Sequence, residues 1–250
     1  MTDTFITVDE TEAFLRAHPN VTWIDLILFD MNGIPRGKRL RRDDIGSVAK
    51  NGLMIPSTVF VMDARGNCIE ETGRLWETGD PDVPFRILEG TLRSVPVGDG
   101  RHAQAVISVA ESDDLCPRGV LARQVAALGA AGQTAVVAVE LEFYVTKPQP
   151  DGVFKFETPE GLSDDPERPM TFQFDELDAL APFIDTIYKI ADVQGLPIDA
   201  VMQESGPAQF EINLKHKADP IAAATDGLLL KRAVKAAAKA HGLEATFMAK

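Results

Sequence analysis

The run "VVAVELEFYV", Val136 to Val145, sets two glutamates two residues apart in a stretch that is otherwise apolar or aromatic. A carboxylate withdrawn from water without a partner is costly, so this run cannot be dry on every side. An extended strand resolves the conflict, because side chains two apart share a face. Val137, Val139, Leu141 and Phe143 then make an apolar face, and Ala138, Glu140, Glu142 and Tyr144 make the other. Such a chain folds around a sheet with one dry side, and two like charges stand together on the opposite side. They repel each other unless solvent or a cation compensates. By itself an E-x-E pair fits a wet outer face as well as a cation site.

A second stretch behaves alike. In "AQFEINL", Phe210, Ile212 and Leu214 point one way, and Gln209, Glu211 and Asn213 the other. Glu204 comes just before Ser205-Gly206-Pro207, so a hairpin there would bring Glu204 and Glu211 near one another. Four carboxylates on the polar faces of such strands make a negative hollow. Hard divalent cations such as Mg²⁺ and Mn²⁺ want oxygen ligands of this kind, and Mg²⁺ sites commonly include substrate phosphates.

The remaining sequence alternates recognisable elements. "VTWIDLILFDMNGIPRGKRL" reads as strand, turn at Asn32-Gly33, strand. From Asn51 to Val97 the texture is that of a small sheet with long loops, and "AQAVISVAE" is a further strand. "CPRGVLARQVAALGAAG" reads as a helix with Pro117 near its start and Gly129 or Gly132 near its end. "FDELDALAPFIDTIYKIADVQG" reads as one helix with Leu177, Leu180, Ile184, Ile187 and Ala191 at helical spacing. Asp219, Pro220 and Gly242 are the N-cap, first residue and stop of a second long helix. "LEATFMAK" is a last strand with nothing after it to pack on. Lys147 to Pro169, rich in Pro and acids, is a long excursion. The architecture is α+β. It divides into a β-rich N-terminal domain over residues 1–105 and a strand–helix domain over 106–250.

With 38 acidic against 25 basic residues, the net charge of −13 disfavours nucleic acid and anionic membranes as partners. A metal between acids and phosphates keeps nucleotides open. No run is long and apolar enough for a membrane span, and the first residues do not read as a secretory signal. Cys68 and Cys116 form no framework, which points to a reducing cytoplasm.

"VELEFYV", "ESGPAQFEINL" and "ATFMAK", in this order, resemble the catalytic domain of the glutamine synthetase family. "DMNGIPRGKRL", "ETGDPDVPF" and "TLRSVPV" resemble its N-terminal β-grasp domain. "RGKRL" and "FMAK" look most like the γ-glutamylpolyamine (γ-glutamylputrescine) synthetase branch. The resemblance implies an ATP-dependent ligase that joins the γ-carboxylate of glutamate to an amine, polyamine or ammonia, through a γ-glutamyl phosphate. It implies Mg²⁺ or Mn²⁺ held by Glu140 near the ATP phosphates, and by Glu142, Glu204 and Glu211 near the glutamate carboxylate. It also implies dodecamer-type homo-oligomers of the full-length protein, and an N-terminal-domain acid that reaches a neighbouring site. Asp63, Glu70 and Glu71 are the candidates, and the sequence does not choose among them. Neither catalytic nor nucleotide-binding residues are otherwise assigned.

Family members continue past "ATFMAK" with an Asn-Gly-Ser-Gly-x-His-x-His run and several arginines. The expectation is a truncated catalytic domain, inactive as it stands. The alternative is a non-catalytic paralogue that serves as an assembly or regulatory module. His216 reads as a surface or capping residue, and the Arg36–Arg42 run as a solvated basic strand.

Overall fold

The computed structural model describes residues 3–109, 114–148, 158–165 and 167–248. Much of the excursion after Lys147 (residues 149–157 and 166) and the last two residues of "ATFMAK" lie outside the described residues. The chain forms two compact units, residues 1–95 with 99–135, and residues 96–98 with 136–250.

The first unit contains α1 (Val8–Ala17), β1 (Trp23–Phe29), β2 (Pro35–Arg41), α2 (Ile45–Asn51) and β3 (Leu53–Pro56). It continues with β4 (Asp82–Ile87), β5 (Arg93–Val95), β6 (His102–Val109) and α3 (Pro117–Ala130). The strands run β2-β1-β6-β4-β3, with β5 also paired to β6. The β1–β6 pairing is parallel and the others are antiparallel. Ile24, Ile45, Phe85 and Ala103 are fully buried in the core, where the Phe60 and Phe85 rings lie 5.7 Å apart. Cys116 is buried in the same core, and neither cysteine is in a disulfide among the described residues.

The β1–β2 hairpin forms, but its connection is five residues long. Buried Asp30 organises it, accepting hydrogen bonds from the backbone N–H of Asn32 and Ile34 and from Arg36 Nε at 2.8–2.9 Å. The basic run is largely exposed, as expected of a solvated strand, and its side chains also find partners within the unit. Arg39 pairs with Asp25 at 2.6 and 3.0 Å, and Arg41 stacks over Trp23 at 5.7 Å. Lys38 and Arg42 donate to backbone carbonyls. Gly37 is indispensable within β2. Its φ is +142°, and a Cβ there would sit 1.9 Å from the Leu26 carbonyl oxygen. Gly37→Ala is expected to cost at least about 2 kcal/mol, from disallowed backbone and clash together. A urea melt of the variant with an unchanged midpoint would contradict this.

The second unit contains β7 (Glu140–Thr146), α4 (Asp175–Ala179), α5 (Ala181–Gln194), β8 (Ile198–Gln203), β9 (Gln209–Leu214), α6 (Pro220–Ala240) and β10 (Glu244–Thr246). Its antiparallel sheet runs β10-β7-β9-β8. The last strand therefore does pack, against β7. The helix expected from Phe174 to Gly195 is broken at Leu180, because Pro182 has no N–H to continue the ladder. Its buried face is Phe183, Ile187, Ile190 and Ala191, while Leu177, Leu180 and Ile184 are only partly buried. Asp219 caps α6 by accepting from Ile221 and Ala222 N–H, and Gly242 follows its C-terminus at φ +70°. No helix among the described residues is long and apolar enough to cross a membrane.

Candidate functional site

Register places the acidic residues. In the β7–β9 ladder Glu142 stands directly opposite Glu211, Glu140 opposite Asn213, and Tyr144 opposite Gln209. Directly paired residues share a face, so all six occupy one side of the sheet. The opposite side is dry: Phe143, Val145, Phe210 and Ile212 are at most 1% exposed. Glu140 and Glu142 are exposed, and Glu211 is half-buried. Glu204 follows β8, in the turn that returns as β9.

Glu211 reports on the other three. Burial, first, and then the charges of Glu140, Glu204 and Glu142 push its carboxyl up from the ordinary value, against an opposing hydrogen bond from Asn213. The four carboxylates are thus close enough to be felt at one point. Among the described residues, however, no three His, Cys, Asp or Glu side chains are gathered closely enough to hold one ion between them. Like charges facing one another hold apart when nothing positive lies between.

The turn that carries Glu204 is tightly specified. Gln209 accepts from Gly206 N–H at 2.9 Å with its amide oxygen and donates to Glu142 Oε2 at 2.6 Å with its amide nitrogen. Glu204 N–H donates to the Gln209 carbonyl at 2.8 Å. A Cβ on Gly206 would lie 2.8 Å from Gln209 Oε1 and 2.9 Å from the Tyr144 hydroxyl, so a side chain there would push the ends of those two residues aside. Asn213 Oδ1, on the carboxylate face, is buried and has no hydrogen-bond partner among the described residues. The segment before α4 lies beside the turn. Thr171 and Ser205 share a hydroxyl hydrogen bond of 2.8 Å, and Phe172 N–H donates to the Gln203 carbonyl at 2.9 Å. Phe172 and Phe174 are about 70% exposed there.

The sequence places Gln209 and Asn213 on the polar face without giving them a role, and it does not single out Glu176, whose carboxylate accepts from Ala208 N–H at 3.0 Å. The first two carried a signal, since they alternate with the apolar residues of β9 and so share Glu211's face. In the first unit, Asp63 spends its carboxylate on its own loop. It accepts from Arg65 N–H, Asn67 N–H and Asn67 Nδ2 at 2.8–3.0 Å, and these bonds to Asn67 above all hold its pKa down. Glu70 and Glu71 are exposed in the short helical turn that follows. His216 and His241 are both exposed, and His241 also bonds Thr186 at 2.8 Å, which ties the end of α6 to α5.

Residues 114–250 match the glutamine synthetase catalytic-domain family. The γ-glutamylputrescine synthetase PuuA of Escherichia coli K12 is 35% identical over 247 residues, which is 96% of this chain and 52% of that protein. A glutamate–isopropylamine ligase from a Pseudomonas species is 28% identical over 95% of this chain and 52% of its own length. The solved structure of ligand-free GmaS superposes with a TM-score of 0.77 at 22% identity, covering 95% of this chain and 52% of that one, a likeness of fold alone. The chain spans about half the length of the curated relatives it matches. On the match that covers more than half of its residues, this chain belongs to the glutamine synthetase family.

Proposed function

We propose that this chain is the first half of an ATP-dependent ligase joining the γ-carboxylate of glutamate to an amine, with divalent cations held at Glu140, Glu142, Glu204 and Glu211. The observation that carries the reading is the opposition of Glu142 and Glu211 inside the field of Glu140 and Glu204. The donor set is right for a hard cation: carboxylate oxygens, with the unpartnered Asn213 Oδ1 among them. The charge that holds the four side chains apart is the charge a Mg²⁺ or Mn²⁺ ion would neutralise. When bound, such ions offset negative charge on the transferring phosphoryl group. Glutamate's carboxylate oxygen would attack the γ-phosphorus of ATP as the bond to ADP breaks. The amine would then attack the acyl carbon, phosphate would leave, and a base would take the amine's proton.

For the acceptor we favour an organic amine over ammonia. The named relatives act on putrescine and isopropylamine, and an acidic face flanked by exposed aromatic rings suits an alkylammonium ion. We further read the first unit as the family's β-grasp domain, on the strength of its parallel β1–β6 pair flanked by antiparallel strands. Homo-oligomeric rings and a cytoplasmic home belong to the same reading, as does a first-unit acid serving a neighbouring site.

The 250-residue chain with ATP, glutamate, Mg²⁺ and putrescine is expected to form no γ-glutamyl amide. Its gene is expected to read on, past codon 250, into the Asn-Gly-Ser-Gly-x-His-x-His run. The product of that longer frame should consume ATP in step with amide formation in a screen of ammonia, putrescine, ethanolamine and isopropylamine. A stop codon at that point would favour the non-catalytic module, and an inactive longer product would defeat the ligase reading.

A further inference from the structure

A buried acidic side chain lies against the turn that carries Glu204. Glu176, in α4, is 2% exposed. Among the described residues its carboxylate meets no cation. One oxygen accepts from Ser163 N–H at 2.9 Å and the other from Ala208 N–H at 3.0 Å. Burial of an ionisable group with only two amide donors is expensive and invites a reason. Ala208 supplies one. It is the residue immediately before β9, held at φ +53°, a left-handed conformation disfavoured for a side chain with a Cβ. Its carbonyl accepts from Val145 N–H of β7 at 2.9 Å. The next residue, Gln209, closes the turn onto Glu204 and Gly206 and grips Glu142.

We propose that Glu176 is a positioning residue for the carboxylate face. Buried against the residue that precedes β9, it ties the segment at Ser163 to the strained start of that strand, and so fixes the turn that sets Glu204 against Glu211 and presents Gln209 to Glu142. This rests on the metal reading above for its consequence, though not for its geometry. The tie reaches three of the four carboxylates without touching any of them. It also joins two parts of the chain more than forty residues apart, one of which precedes α4 and the other of which follows β8.

Glu176→Met keeps the buried volume and removes both acceptors, whereas Glu176→Gln keeps one oxygen. In hydrogen exchange of the 250-residue chain, Met is expected to speed the Ser163 and Ala208 amides by about tenfold or more. The Glu204 and Gln209 amides should follow, and Gln should give a smaller effect. Mn²⁺ titration followed by electron paramagnetic resonance should show weaker binding in the same order. Unchanged exchange at Ala208 and Gln209 in the Met variant would overturn the proposal. So would faster exchange with Mn²⁺ affinity equal to wild type. If wild type itself takes up no Mn²⁺, the metal reading fails, and exchange at Glu204 and Gln209 alone decides whether Glu176 holds the turn.

Discussion

Glu211→Gln is expected to strengthen the metal-free fold and to weaken its hold on divalent cations. The two effects have one cause. In the folded chain burial and three neighbouring carboxylates raise the pKa of Glu211, so the folded state binds this proton more tightly than the unfolded chain does. Stability from the group is then complete below the ordinary carboxylate range and is lost as pH rises through the raised value. Above that raised value the wild type carries the ionised form, facing Glu142 across the ladder. Like charges directly opposed on neighbouring strands cost a few tenths to about 1 kcal/mol. The amide removes that cost, so the variant gains about this much above that value in chelator and little in acid. With Mn²⁺ present the order reverses. Loss of partners that only support a metal ligand already costs tenfold or more, so loss of a ligand should cost at least about tenfold in affinity. Thermal melts against pH in chelator, paired with Mn²⁺ titrations, test both halves. A variant less stable than wild type at neutral pH, or equal to it in Mn²⁺ affinity, would refute this account of the face.

What could be read from the sequence follows from period. A two-residue alternation fixes which face a strand residue occupies, whatever the strand pairs with, so Glu140, Glu142 and Glu211 were assignable to polar faces before any pairing was known. The β8–β9 hairpin was legible because Gly206 and Pro207 interrupt two apolar runs, whereas the β7–β9 pairing that sets Glu142 against Glu211 joins distant segments and left no such mark. Helical period was less informative. Leu177, Leu180 and Ile184 trace a plausible stripe, yet Pro182 breaks the helix, and the buried residue of α4 is Glu176. Nothing local marks Glu176 as buried, since its two partners are backbone amides supplied by distant segments. The same holds for the basic residues of β2. Their acceptors are Asp25, Asp30 and carbonyls of other elements, so as a string they looked solvated and in the fold they stitch the unit together. Period reveals the side chain's direction, whereas polar partners chosen across the fold leave no trace in the neighbouring sequence.

Phe143→Ala should be the most damaging single truncation on the dry side of the second unit's sheet. Phe143 is 1% exposed and directly opposite Phe210 in the β7–β9 ladder. Its ring lies 6.0 Å from that of Phe210, 5.6 Å from Phe247 and 6.4 Å edge-on from Phe183, so it joins β7, β9, α5 and the residue after β10. Truncating a buried phenylalanine to alanine costs about 3–5 kcal/mol, from lost transfer energy and the cavity together. Domains are commonly stable by only about 5–15 kcal/mol, so this is a large share of the whole. Phe172→Ala is the matched control, since that ring is 69% exposed and its loss should stay within about 0.5 kcal/mol. Urea melts of the two variants should therefore separate widely, and equal midpoints would mean that the aromatic cluster does not anchor the sheet. The consequence extends to the opposite face. Phe143 sits between Glu142 and Tyr144, and a strand that loses its anchor on one side cannot hold its carboxylates in register on the other.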